Sequence, residues 1–123
     1  MSFQCGAIVC AANVLDPNGK NPKNRFVVLI RDFAAGDETL FGVAITSTFS
    51  YPLSEMMVSL PFSQNPKGRC KTGLSRDSVA VCDWIVGFAI DDLLEQTGFT
   101  PPMELEEILK RVEERLDFFL QAK

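Results

Sequence analysis

Lys67-Gly68-Arg69-Cys70-Lys71-Thr72-Gly73-Leu74-Ser75-Arg76-Asp77-Ser78-Val79-Ala80-Val81-Cys82-Asp83-Trp84 changes character halfway. The first half is basic and punctuated by glycine. The second half turns into a β-branched run, Val79-Ala80-Val81. Physically this is a cationic loop that delivers the backbone into a buried strand. Gly68 and Gly73 admit backbone angles that other residues resist, so the loop can fold tightly or approach a ligand closely. Lys67, Arg69, Lys71 and Arg76 gather positive charge in one place.

Working outward, the rest of the chain is also strand-rich until late. Residues 8–15 form a short apolar run. Residues 16–24 are dense in Asp, Asn, Pro and Gly and read as a loop, basic at Lys20 and Lys23. Residues 25–31 are β-branched and aromatic, and residues 40–48 and 56–60 read as further strands. Residues 78–82 and 85–90 read as two short strands broken near Asp83-Trp84. Several short strands at this spacing predict a small barrel or sandwich. Residues 91–97 suggest two helical turns stopped by Gly98. Thr100-Pro101 reads as an N-cap followed by Pro at the first helical position. Leu105, Ile108, Leu109, Val112, Leu116, Phe119 and Leu120 then recur on one helical face.

The chain has 123 residues, 46% of them hydrophobic, which suits one core-forming domain over residues 1–123. No apolar run approaches the roughly 20 residues that span a bilayer. The N-terminus lacks the basic and apolar blocks of a signal peptide, so a soluble, cytoplasmic protein is expected. The four cysteines are Cys5, Cys10, Cys70 and Cys82, with no C-x-x-C spacing and no histidine in the chain. Reduced thiols are expected, and neither a metal nor a cofactor. The net charge of −4 at first argues against a polyanion as partner. The charge is uneven, however. Residues 1–76 carry eight Lys/Arg against five Asp/Glu, a balance of +3, and residues 77–123 carry four against eleven, a balance of −7. A basic body with an acidic tail is compatible with a local anion-binding face.

Gly73, Leu74, Asp77, Ser78 and Val79, followed by Asp83 and Ile85, resemble the "G-L-x-x-D-S-V" segment of the MazF/PemK family of toxin endoribonucleases. Other blocks appear in that family's order. Gly6-Ala7-Ile8-Val9 is similar to its opening "G-D-I-V", with Ala7 for Asp. Pro17, Gly19, Arg25 and Val27-Val28-Leu29 resemble its second block, with Phe26 for Pro. Ala44-Ile45-Thr46-Ser47 resembles its "P-I-T-S" strand end. The resemblance covers nearly the whole chain. It implies a mainly β fold with a C-terminal helix, an SH3-like small barrel, usually in a homodimer. It also implies metal-independent cleavage of single-stranded RNA, and a cognate antitoxin whose acidic tail blocks the RNA groove.

On that resemblance, Arg25 and Thr46 are the catalytic candidates. RNA cleaves itself when its 2′-hydroxyl attacks the adjacent phosphorus, and the protein must stabilise the charge that develops. Without histidine, an Arg can hold the phosphate in two-pronged fashion while a hydroxyl completes the cradle. Ser47 and Thr48 are rivals for the hydroxyl. Lys20, Lys23, Ser47, Lys67, Arg69, Lys71 and Arg76 are candidates to line the RNA path; otherwise they are solvated charges and polar groups. Phe49 and Tyr51 can stack bases or pack, and Asp77 and Ser78 read as strand-entry residues. Lys20 stands where some relatives carry an acid, Trp84 where Gln is usual, and Val86 where Arg or Lys often follows. These departures leave open a binding barrel without catalysis, with Trp84 as an interface anchor. A gyrase-binding toxin of the CcdB type needs a C-terminal Trp-Gly-Ile, whereas this chain ends Leu120-Gln121-Ala122-Lys123.

Overall fold

The computed structural model describes residues 2–64 and 71–121, with residues 116–121 as backbone. The strands are β1 (Ala7–Val14), β2 (Lys23–Leu29), β3 (Thr39–Thr46), β4 (Met57–Leu60), β5 (Ser78–Ala89) and β6 (Leu93–Phe99). A 3-10 turn, Ile90–Asp92, separates β5 from β6, and the helix α1 spans Pro102–Gln121. All strands pair antiparallel in the order β4-β5-β3-β2-β1-β6. The ladder is open, with β4 and β6 as its edges. Residues 71–74 span those edges without being a strand. The Leu74 carbonyl accepts from Ser63 N–H, just beyond β4, at 3.0 Å, and the Lys71 carbonyl accepts from Phe99 N–H of β6 at 2.7 Å.

Period-two alternation sorts the apolar side chains onto two faces. Ile8, Val28, Val43, Ile45, Val58, Leu60 and Cys82 pack with Ile108 and Val112 of α1. Val9, Val27, Leu29, Leu40 and Phe88 form the second cluster, with Phe3, Leu93 and Phe99 against it. Ile108 is fully buried, and burial of such a side chain contributes about 1.5–3 kcal/mol. The expected stripe on α1 therefore holds for Leu105, Ile108 and Val112; the side chains of Leu116, Phe119 and Leu120 lie outside the described residues.

Three local expectations are corrected. Residues 91–97, expected as helix, mostly form β6, because pairing with β1 and burial of Leu93 and Phe99 outweigh helix propensity. Residues 78–82 and 85–90, expected as two strands, belong up to Ala89 to one strand with a bulge, and Ile90 opens the 3-10 turn. Between Val43↔Ile85 and Ile45↔Ala80, two steps on β3 correspond to five on β5. The alternation break at Asp83-Trp84 is this bulge, which bends the strand and re-aims its side chains. Thr100 is no N-cap: α1 begins at Pro102, and the buried Thr100 hydroxyl has no hydrogen bond among the described residues.

Candidate functional site

The register of β2 on β3 pairs Val27 with Ala44. Two places further along, Arg25 and Thr46 come to the same end of the sheet. Both line a groove of about 310 Å³, together with Asn24, Phe26, Ser47, Thr48, Ser75, Arg76 and Ser78. This lining has two arginines, several hydroxyls and, among the described residues, no carboxylate. On a chain of net charge −4, that is a local anion-attracting surface.

Arg25 is half-buried. Its Nε donates to the Val14 carbonyl at 3.1 Å and one Nη donates to the Asn21 carbonyl at 3.2 Å. Its guanidinium carbon lies 5.0 Å from the centroid of the Trp84 ring. The Val14 carbonyl ends β1 and the Asn21 carbonyl lies in the connection to β2, so strand end and loop together grip the side chain while leaving other guanidinium N–H groups uncommitted. Asp16 organises this loop. Its carboxylate accepts from the Asn18 and Lys20 N–H groups, each at 2.9 Å, and from the Asn21 side-chain amide at 2.8 Å. Those bonds, led by the Lys20 N–H, hold the Asp16 carboxyl below its ordinary range. A carboxylate so stabilised is a turn scaffold rather than a proton acceptor.

The Thr46 hydroxyl accepts from Thr48 N–H at 3.1 Å and donates to the Thr48 carbonyl at a long 3.4 Å. Ser47 is exposed and makes no hydrogen bond among the described residues. The Ser78 hydroxyl is committed to the Arg76 carbonyl at 2.9 Å. Asp77 faces Tyr51, whose hydroxyl donates to it at 3.5 Å. Tyr51 is 68% exposed beside this end of the groove, and Phe49 meets it edge-on.

The structure thus brings together Arg25, Thr46, Ser47 and Arg76 of the sequence candidates. Lys20 and Lys71 are exposed but do not line the groove, and Lys23 lies at the exposed start of β2. Lys67 and Arg69 lie outside the described residues. Sequence reasoning missed Asn24 and Ser75 as groove residues, and it read Trp84 as an interface anchor, not as the platform under Arg25. The break in strand alternation was the one available signal for Trp84. A second, larger groove of about 540 Å³ is lined by Leu15, Trp84, Ile85 and Val86. Asp16, Asp83 and Asp92 also line it, so its charge disfavours a phosphate chain.

No protein-family model and no curated protein sequence matches this chain. Solved structures do. MazF (Form-I) from Deinococcus radiodurans aligns with a TM-score of 0.74 at 14% identity, over 95% of this chain and 98% of that one. An endoribonuclease in complex with its cognate antitoxin, from a Mycobacterial species, aligns with a TM-score of 0.65 at 15% identity, over 94% and 95%. The Mycobacterium tuberculosis toxin MazF-mt6 aligns with a TM-score of 0.60 at 18% identity, over 89% and 96%. The six-stranded antiparallel sheet with its C-terminal helix is therefore the MazF fold, shared across almost the whole chain.

Proposed function

We propose that the protein is a growth-inhibiting toxin of the MazF type, an endoribonuclease that cleaves single-stranded RNA without a metal. The observation that carries this reading is the convergence of Arg25, Thr46, Ser47 and Arg76 on one groove whose described lining holds no carboxylate. The fold agrees with it, and so does the order of the sequence blocks.

In this reading a backbone phosphate sits against the uncommitted N–H groups of Arg25. The 2′-hydroxyl of the preceding nucleotide attacks phosphorus and gives its proton to solvent, the P–O5′ bond breaks, and the leaving 5′-oxygen takes a proton from solvent. Negative charge grows on the non-bridging oxygens, and a fixed guanidinium stabilises it more in the transition state than in the bound substrate. Thr46 turns its proton from the Thr48 carbonyl to a phosphate oxygen, an exchange made easier by the length of that bond. Arg76 holds a neighbouring phosphate, and Tyr51 offers a face for a base. With no histidine in the chain, positioning and charge stabilisation carry the reaction.

The antitoxin partner follows from the same reading: an acidic extended segment fits a groove built for phosphates. A homodimer is the proposed working form. Exposed Leu15 and Ile85 are apolar surface that a second copy would cover, and sedimentation at micromolar concentration tests this. The test of function is incubation of long single-stranded RNA with the protein in EDTA. Fragments ending in a 2′,3′-cyclic phosphate and beginning with a 5′-hydroxyl support the reading; intact RNA contradicts it and moves a non-catalytic binding barrel to first place.

A further inference from the structure

Trp84 and Arg25 belong to one closed circuit of contacts. Trp84 Nε1 donates to the Leu15 carbonyl at 3.1 Å. The adjacent Val14 carbonyl accepts from Arg25 Nε at 3.1 Å. The Arg25 guanidinium returns to the Trp84 ring at 5.0 Å. We propose that Trp84 is a positioning residue for Arg25, fixing the guanidinium for the phosphate it holds. The inference rests on the phosphate-holding role given to Arg25 above.

Neither carbonyl can do this alone. Asn21 lies in the surface connection between β1 and β2, whereas Val14 ends β1 beside Asn13, and Asn13 and Asn21 both take left-handed backbone angles. The Asn21 bond moves whenever that connection moves, and a single Nε bond to the end of β1 does not by itself fix the plane of the guanidinium. Trp84 lies on the bulge of β5 and reaches back 69 residues to Leu15. It therefore ties the loop to the sheet and the arginine to the loop at once. The contact through the ring also consumes none of the guanidinium N–H groups, which stay available to an anion. The bulge explains why Trp84 can reach: its extra residues carry the indole out of the regular alternation.

Three variants separate the two links. Trp84→Phe keeps a ring and loses the Leu15 bond. Trp84→Gln keeps an N–H and loses the ring. Trp84→Leu loses both. The deciding spectroscopic readout is the Arg25 Nε–Hε resonance, which the nearby ring displaces from the value of an exposed arginine. The displacement should vanish in Trp84→Leu and Trp84→Gln and return in Trp84→Phe. Trp84→Leu should lower kcat about tenfold, the scale of a partly desolvated cation–ring contact, with KM nearly unchanged, and Trp84→Phe should recover most of that loss.

An undisplaced Arg25 resonance in the wild type, or one that Trp84→Leu leaves displaced, overturns the proposal. So does wild-type kcat in a folded Trp84→Leu. If Trp84→Leu does not fold, the resonance and kcat of Trp84→Gln against those of Trp84→Phe decide the same question. If the wild type cleaves no RNA, the endoribonuclease reading falls by itself. The order of the Arg25 Nε–Hε vector, read by nitrogen relaxation, then decides the positioning claim: a vector looser in Trp84→Leu than in the wild type supports it, and one equally rigid in both overturns it.

Discussion

Gly73 and Gly98 stand where two backbones cross with no room for a side chain on either. A Cβ at Gly98 would lie 2.2 Å from the Lys71 carbonyl oxygen, and one at Gly73 would lie 2.2 Å from the Thr97 carbonyl oxygen. Gly73 also has a φ of +72°, which side-chain-bearing residues resist. The crossing is where residues 71–74 span the open edges of the sheet. Gly98→Ala should therefore destabilise the fold by about 1–3 kcal/mol, the usual scale of forced overpacking. The urea midpoint reads this directly, and an unchanged midpoint would show that the crossing gives way without cost.

A second prediction concerns pH. Burial pushes the Cys82 thiol from 9.0 up to about 11. The folded chain then keeps a proton that the unfolded chain releases at lower pH. A raised folded value contributes stability below the unfolded value, and that contribution is lost as pH rises toward the folded one. Stability should fall between about pH 9 and 11, and Cys82→Ala should have the shallower slope. Denaturant midpoints at pH 8 and pH 10.5 make the comparison; parallel slopes would contradict the assignment.

Much of the fold was legible because β1 to β4 are apolar runs bounded by turn residues. α1 carries an unbroken apolar stripe over Leu105, Ile108 and Val112. β6 was hidden: Leu93-Leu94-Glu95-Gln96 favours a helix locally, and only pairing with β1 makes it a strand. At the site, Arg25 and Thr46 were legible through their sequence blocks. Ser75 and Arg76 join them only because they lead into β5, whose Val79 pairs with Thr46 of β3. Basic density marked Lys20, Lys23 and Lys71 equally with Arg76, since sequence spacing does not say which exposed side chain faces the groove. The stack of Trp84 on Arg25 required the β5 bulge, which a one-dimensional pattern shows only as a broken alternation.

RNA binding should be strongly salt-dependent despite the acidic composition, since each phosphate contact releases counterions. Arg76→Glu should weaken binding of a 2′-deoxy-substituted oligonucleotide and lower the slope of log affinity against log salt by about one. Lys110→Glu, on the exposed face of α1, is the control and should change neither. Fluorescence anisotropy across a salt series checks both. Equal effects of the two reversals would place the RNA elsewhere.

The hydroxyl of Thr46 is the weaker of the two catalytic contributions. Thr46→Ala removes a phosphate contact and the Thr48 turn bond, and should slow cleavage about tenfold, the scale of one hydrogen bond to a charged group. Single-turnover rates at saturating enzyme measure it. A loss as large as that from removing Arg25 would reverse the proposed division of labour.

The most direct measurement is the single-turnover cleavage rate of Arg25→Ala in EDTA, with the product ends identified. Loss of one preorganised charge-stabilising donor should slow the reaction about 10²–10³-fold. The fold should survive, because Arg25 is half-buried and its hydrogen bonds go only to the Val14 and Asn21 backbone carbonyls. Arg25→Lys should not restore the rate, since an ammonium lacks the planar fork. The account predicts a 2′,3′-cyclic phosphate and a 5′-hydroxyl in the residual product. Wild-type cleavage by Arg25→Ala, or 5′-phosphate ends made only with Mg²⁺, would contradict it.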